Sequence, residues 1–145
     1  MKLSLFIVIT MFIPISVFGQ DTQIIGEYGK NVVINDGSIL EWTVNLKQDG
    51  TFLYNFYRKL NCDSCKEENF WGKGQWTAQE KLIMIQSDAE KDLDSTYTMN
   101  FSDTKARFHS KSTRNLSAKT MPVELIFYDS PLSVIKGLKL EKKKN

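Results

Sequence analysis

Cysteine, proline and histidine are scarce in this 145-residue chain: it has two Cys, three Pro and one His. Two cysteines cannot build a disulfide-dense scaffold, and three prolines exclude a collagen-like or proline-rich chain. A lone His109 leaves histidine-based acid–base chemistry resting on one side chain. Charge of one sign is missing too, since 19 Lys and Arg face 17 Asp and Glu for a formal net charge of +2. A dedicated nucleic-acid binder carries a strong basic excess, so nucleic acid is not an expected partner. There is no Gly-x-Ser-x-Gly turn, no His-Glu-x-x-His and no phosphate loop. The expectation is therefore a protein that is not an enzyme, with no catalytic residue and no cofactor or metal assigned.

Long apolar runs are confined to the start of the chain. Met1-Lys2 is followed by an apolar stretch from Leu3 to Phe18 and then Gly19. That order matches the charged, apolar and small-residue regions of a secretory signal. Pro14 interrupts the stretch, which is short for a membrane span of roughly 20 residues. Residues 1–19 are read as a signal peptide and 20–145 as one exported domain, periplasmic or extracellular, with no transmembrane segment. The domain is expected to be monomeric. Its charge is uneven: Lys136, Lys139, Lys142, Lys143 and Lys144 crowd the end of the chain and form a basic tail. The body before it is slightly acidic.

Aromatic residues, by contrast, are plentiful, with nine Phe, five Tyr and three Trp making 12% of the chain. Disordered chains are poor in these side chains. They also fall in a pattern. Leu40, Trp42, Val44 and Leu46 alternate with polar residues, and period-two alternation puts them on one face of a strand. Asp49-Gly50 is a strong hairpin signal. Phe52, Tyr54 and Phe56 then line one face of a second strand, giving a hairpin over about 39–59. A polar connection at 60–69 leads to Phe70, Gly72, Gly74 and Trp76 on one face, with a turn at Thr77–Glu80. Leu82–Ile85 reads as a strand covered on both faces, and Ser87–Asp94 as a charged, solvated loop. Tyr97, Met99 and Phe101 alternate as a further strand. Ala106 and Phe108 mark a weaker one, 111–121 a loop, Val123, Leu125 and Phe127 another strand, and about 134–141 the last. Short strands near Ile24–Tyr28 and Val32–Ile34 complete the set. Many short strands at hairpin spacing, without a helical stripe, predict an all-β fold. Successive hairpins favour an antiparallel up-and-down barrel of about eight strands, which also removes sheet edges.

Lys47-Gln48-Asp49-Gly50-Thr51-Phe52, then Gly74-Gln75-Trp76, a turn and Lys81-Leu82-Ile83-Met84-Ile85 form a recognisable order. It resembles the small secreted lipocalin-like (calycin-type) domains of bacterial envelopes over roughly residues 40–86. Gly26-Glu27-Tyr28 stands where such chains open with Gly-x-Trp. The resemblance implies a lipocalin-like barrel, and its motif specifies hairpin chemistry more than any ligand.

Two sets of residues are candidates for function. A small barrel is either packed solid or holds one small ligand. Trp42, Tyr54, Phe56 and Tyr97 are the candidate lining for a small apolar or amphipathic ligand, tyrosine offering an apolar body with a hydroxyl tip. An envelope partner is the other expected occupant of such a surface. Cys62-Asp63-Ser64-Cys65 is the second set. In an oxidising compartment the pair is expected to form a disulfide. A redox dithiol or a soft-metal site remains the alternative, with His109 the only imidazole to join it. That alternative function is a thiol-based metal-handling or envelope-stress protein.

Overall fold

The computed structural model describes residues 22–110 and 122–144. The signal-peptide reading of 1–19 and the loop reading of 111–121 lie outside these residues. Eight strands follow one another: β1 (Gly26–Val33), β2 (Ile39–Leu46), β3 (Thr51–Lys59), β4 (Glu68–Gln79), β5 (Leu82–Gln86), β6 (Thr104–His109), β7 (Glu124–Asp129) and β8 (Lys139–Lys142). Each pairs antiparallel with the next, and β1 closes on β8, so the sheet is a closed up-and-down barrel. The seam is narrow, with register pairs only at Tyr28–Lys142 and Gly29–Glu141.

The expected faces are the observed faces. Val44, Leu46, Phe52, Tyr54, Trp76, Ile83, Ile85, Ala106, Phe108, Leu125, Phe127 and Leu140 are all buried and point into one core. The hairpin at 39–59 is β2 and β3, with Leu46 opposite Phe52. Its turn needs a left-handed residue, and Gly50 supplies it at φ 84°. The Asp49 carboxylate accepts from both the Thr51 backbone N–H and its hydroxyl, which fixes the turn.

The motif that suggested the fold is a physical lock. Trp76 is buried, and its indole N–H donates to the Lys47 carbonyl at 2.9 Å. Its backbone N–H donates to the Gly50 carbonyl at 2.8 Å. The Gly-x-Trp strand thus clasps the Lys-x-Asp-Gly-Thr turn. Gly72 serves a different neighbour: a Cβ there would sit 2.4 Å from the Phe101 ring, which lies against this part of β4.

Five local expectations change. The two early strands are one, β1, because the polar stretch Gly29-Lys30-Asn31 stays in the ladder with β2. The turn expected at 77–80 is shorter, since β4 runs to Gln79. Leu82–Ile85 is covered on one face only, with Leu82 40% exposed, because nothing among the described residues packs outside the barrel there. Tyr97–Phe101 is not a ladder strand. Side chains replace the ladder there: Asp94 accepts from the Thr96 and Tyr97 N–H groups, and Asn100 from the Ser102 N–H. This segment crosses β4 at a single Trp71–Tyr97 bridge and drops Met99 and Phe101 into the core. The last strand starts later than expected, after a turn that buries Ile135 and Leu138.

Candidate functional site

The barrel has a sealed end and a mouth. The β2–β3 and β4–β5 turns, together with Ile24, make the sealed end. Ile24 is fully buried, and its carbonyl accepts from the Tyr28 hydroxyl. At the opposite end β1 to β4 run on past β5, whose pairing with β4 covers only Gln75–Gln79. The register there sets Lys30, Trp42, Phe56 and Phe70 side by side across four strands. Alternation turns this row toward the inside of the barrel.

Three of the four form a stack. Trp42 and Phe56 have ring centroids 5.1 Å apart at 22°, and Phe56 and Phe70 are 5.9 Å apart at 20°. The rings are half-buried, packed on the core below and open in part above. The Lys30 ammonium lies 6.0 Å from the Trp42 ring centre, at the outer reach of a cation–π contact. Arg58 and Glu68 stand one inward-facing position further out, paired at 2.5 Å, and rim the mouth. The exposed Leu60, Val33 and Ile34 lie beyond them.

Two polar atoms at this end are buried without a hydrogen-bond partner, the Trp42 indole nitrogen and the Tyr54 hydroxyl. Indole N–H is a donor only, and an unmade hydrogen bond in a buried place costs about 1–3 kcal/mol. Tyr54 sits one inward-facing position below Phe56, fully buried, with the Phe101 ring 4.9 Å away. Burial holds its hydroxyl proton far more tightly than in water, so the group stays a neutral phenol.

The structure therefore brings together Trp42 and Phe56, with Tyr54 beneath them. It does not bring Tyr97. That ring lies under the Lys73 ammonium at 4.3 Å, and Lys73 is on the outward-facing side of β4, opposite Leu53. Tyr97 misses the row because its alternation is not that of a barrel strand. Phe70 and Lys30 belong to the row and were not assigned to it from sequence. Period two places Phe70 on the right face; finding its neighbours requires the β3–β4 register.

Cys62 and Cys65 are bonded to each other in the exposed β3–β4 loop, with Cα atoms 5.3 Å apart. The loop is tied down on both sides. Asn61 N–H donates to Ser38 Oγ at 3.0 Å, and its side chain donates to the Asp36 carbonyl. Lys59 and Glu67 pair at 2.9 Å. Hydrogen bonds from Lys59 and then Tyr57 hold the Glu67 carboxyl below its usual range, so a negative charge stays two positions from Cys65. That charge opposes a thiolate, and no helix begins here to favour one. His109 is at the far end of β6, opposite Glu124, so it cannot join the pair in a metal site. Among the described residues no three His, Cys, Asp or Glu side chains gather as a metal would require.

Clefts also lie away from this row. One of about 400 Å³ follows the β1–β8 seam, is lined by Lys30, Asn31, Glu124, Lys139 and Glu141, and lacks the apolar lining that a small-molecule site usually shows. Another, of about 550 Å³ at the sealed end, is lined by Gln79, Glu80, Lys81 and Arg107 together with the apolar Leu82 and Phe108. No helix among the described residues is long and apolar enough to cross a membrane. The chain matches no family model, no curated protein and no solved structure.

Proposed function

We propose that this is an exported, lipocalin-like binding protein, monomeric and without catalysis, that takes a small apolar or amphipathic ligand at the mouth of its barrel. The observation that carries this reading is the half-buried Trp42–Phe56–Phe70 stack, which stands above two buried polar atoms lacking protein partners. A solid core hides its large rings and satisfies its donors, as the sealed end does at Trp76. The mouth does neither. An apolar surface with a few convergent polar groups is the usual form of a ligand site.

The test is a tryptophan-fluorescence titration with a panel of fatty acids and tetrapyrroles, run on the native chain and on a Phe56→Leu/Phe70→Leu variant. A saturable change in the native chain that weakens at least tenfold in the variant supports the mouth as the site. A panel without saturable binding, or binding unchanged in the variant, overturns it. Export has its own readout. The mature protein in the periplasm or medium is expected to begin at Gln20.

The disulfide enters this reading as a brace. It staples Cys62 to Cys65 within the β3–β4 loop, and Asn61 ties that loop to the β1–β2 turn.

A further inference from the structure

The outward face of the barrel is not of one kind. β6 to β8 turn Lys105, Arg107, Glu124, Lys139 and Glu141 to the outside, the charged pattern of an ordinary soluble surface. β3 and β4 do otherwise. Their register sets Asn55 beside Trp71 and Tyr57 beside Asn69, all outward, because Phe56 and Phe70 between them face in. The bridge to Trp71 adds Tyr97 on the same side. The neighbours of Trp71 on this face are thus Asn55 across the ladder, Asn69 and Lys73 along its own strand, and Tyr97 at the bridge. Tyr57, Trp71 and Tyr97 are part-exposed, and none of the three belongs to the core.

The charges on this face are spent within it. Lys73 pairs with Asp94 at 3.5 Å and lies over the Tyr97 ring at 4.3 Å. Lys59 and Tyr57 hold the Glu67 carboxylate, and Asn31 donates to Glu41. The amides keep capacity in hand. Asn55 donates to Asn69 at 3.3 Å, which leaves each side chain an N–H to give and Asn55 an oxygen to accept with.

A part-exposed indole flanked by amides matches a molecule with an apolar face and a rim of hydroxyls. A pyranose has that form. Its C–H face lies on an aromatic ring, and its hydroxyls both give and take hydrogen bonds, as amides do. An acidic ligand would find both lysines of β3 and β4 already paired. A protein partner asks for an apolar centre, whereas the ladder and strand neighbours of Trp71 are two amides and a lysine.

We propose that the outward face of β3 and β4 binds a neutral glycan. Trp71 is the stacking platform, Asn55 and Asn69 are the hydrogen-bonding flank, and Tyr57 and Tyr97 border the site. It lies on the opposite face of the sheet from the mouth, so it stands whether or not the mouth takes a ligand.

The experiment is calorimetric titration of the mature chain with four neutral hexasaccharides, cellohexaose, laminarihexaose, maltohexaose and N-acetylated chitohexaose, and with the acidic hexagalacturonate. One or more of the neutral four is expected to bind saturably, and about tenfold or more tighter than hexagalacturonate. Trp71→Ala should weaken that binding about tenfold or more. Asn55→Ala and Asn69→Ala should each weaken it about two- to tenfold, the loss of one hydrogen bond. These two change side chains outside the core, so they test the site even where Trp71→Ala fails to fold. Trp42→Ala, at the mouth, should leave glycan binding unchanged. No saturable binding of any neutral glycan, tightest binding of hexagalacturonate, Asn55→Ala and Asn69→Ala variants both indistinguishable from native, or loss of binding in Trp42→Ala overturns the proposal. Self-association that Trp71→Ala abolishes, with no glycan bound, would make the face a contact between copies and overturns it too.

Discussion

Trp76 and Trp42 sit on inward-facing positions of the same barrel and are treated in opposite ways. At the sealed end Trp76 is 1% exposed and donates its indole N–H to the Lys47 carbonyl. At the mouth Trp42 is half-buried, and its indole nitrogen has no partner. Between the two ends Tyr28 and Tyr54 flank Val44 on one level, both fully buried; Tyr28 gives its hydroxyl to the Ile24 carbonyl, while the Tyr54 hydroxyl is unmatched. Composition is therefore no guide to role here. One end uses its tryptophan to close the barrel, and the other leaves a tryptophan half open with its nitrogen unmatched.

The comparison can be broken by substitution. Trp76→Ala removes a buried ring and the clasp on the β2–β3 turn, and is expected to cost about 3–5 kcal/mol in chemical denaturation. Trp42→Ala, at a half-open position, should cost less than half as much; equal losses would mean that the mouth is core. Gly72→Ala comes next. Its methyl would meet Phe101 at 2.4 Å and should destabilise by about 1–3 kcal/mol through overpacking. Cys62→Ser/Cys65→Ser removes a bridge between near neighbours in sequence and should cost about 2 kcal/mol or less. Ligand binding at the mouth should survive it, whereas loss of metal tolerance or of a redox phenotype would move the pair from brace to chemistry.

The smallest effect sharpens the comparison most. Tyr54 has its hydroxyl pKa raised in the folded state above the ordinary 10.0, through burial alone. A raised folded value means that this group's contribution is intact below pH 10 and is lost as pH climbs above it. Tyr54→Phe removes both that dependence and an unmatched buried hydroxyl. It should leave stability at pH 7 unchanged or slightly higher, by up to about 1 kcal/mol, and should flatten the alkaline decline seen in pH-dependent melting. A variant less stable at pH 7 would show that the hydroxyl has a partner in solution.

Most of the barrel was legible in the sequence, and the site only in part. The β2–β3 hairpin could be read to its ends because period-two alternation and Asp49-Gly50 act locally. Trp76 and Gly72 could be placed on a face, but their purposes could not. The clasp on Lys47 joins residues 29 apart, and the Phe101 ring reaches Gly72 from a segment without ladder pairing. Tyr97 was misplaced for that reason: its alternation is real, but Asp94 and Asn100 draw the backbone out of the sheet. β1 looked like two strands because Lys30 interrupts it.

The most direct measurement is the set of three indole N–H signals, from Trp42, Trp71 and Trp76, in a nitrogen-15 correlation spectrum of the mature chain. With a closed clasp and an open mouth, the Trp76 signal resists solvent exchange and stays still during titration with a fatty acid or tetrapyrrole of the panel, while the Trp42 signal moves and saturates. Movement confined to Trp71 on the outward-facing side, or a Trp42 signal as protected and as still as that of Trp76, would contradict a binding mouth.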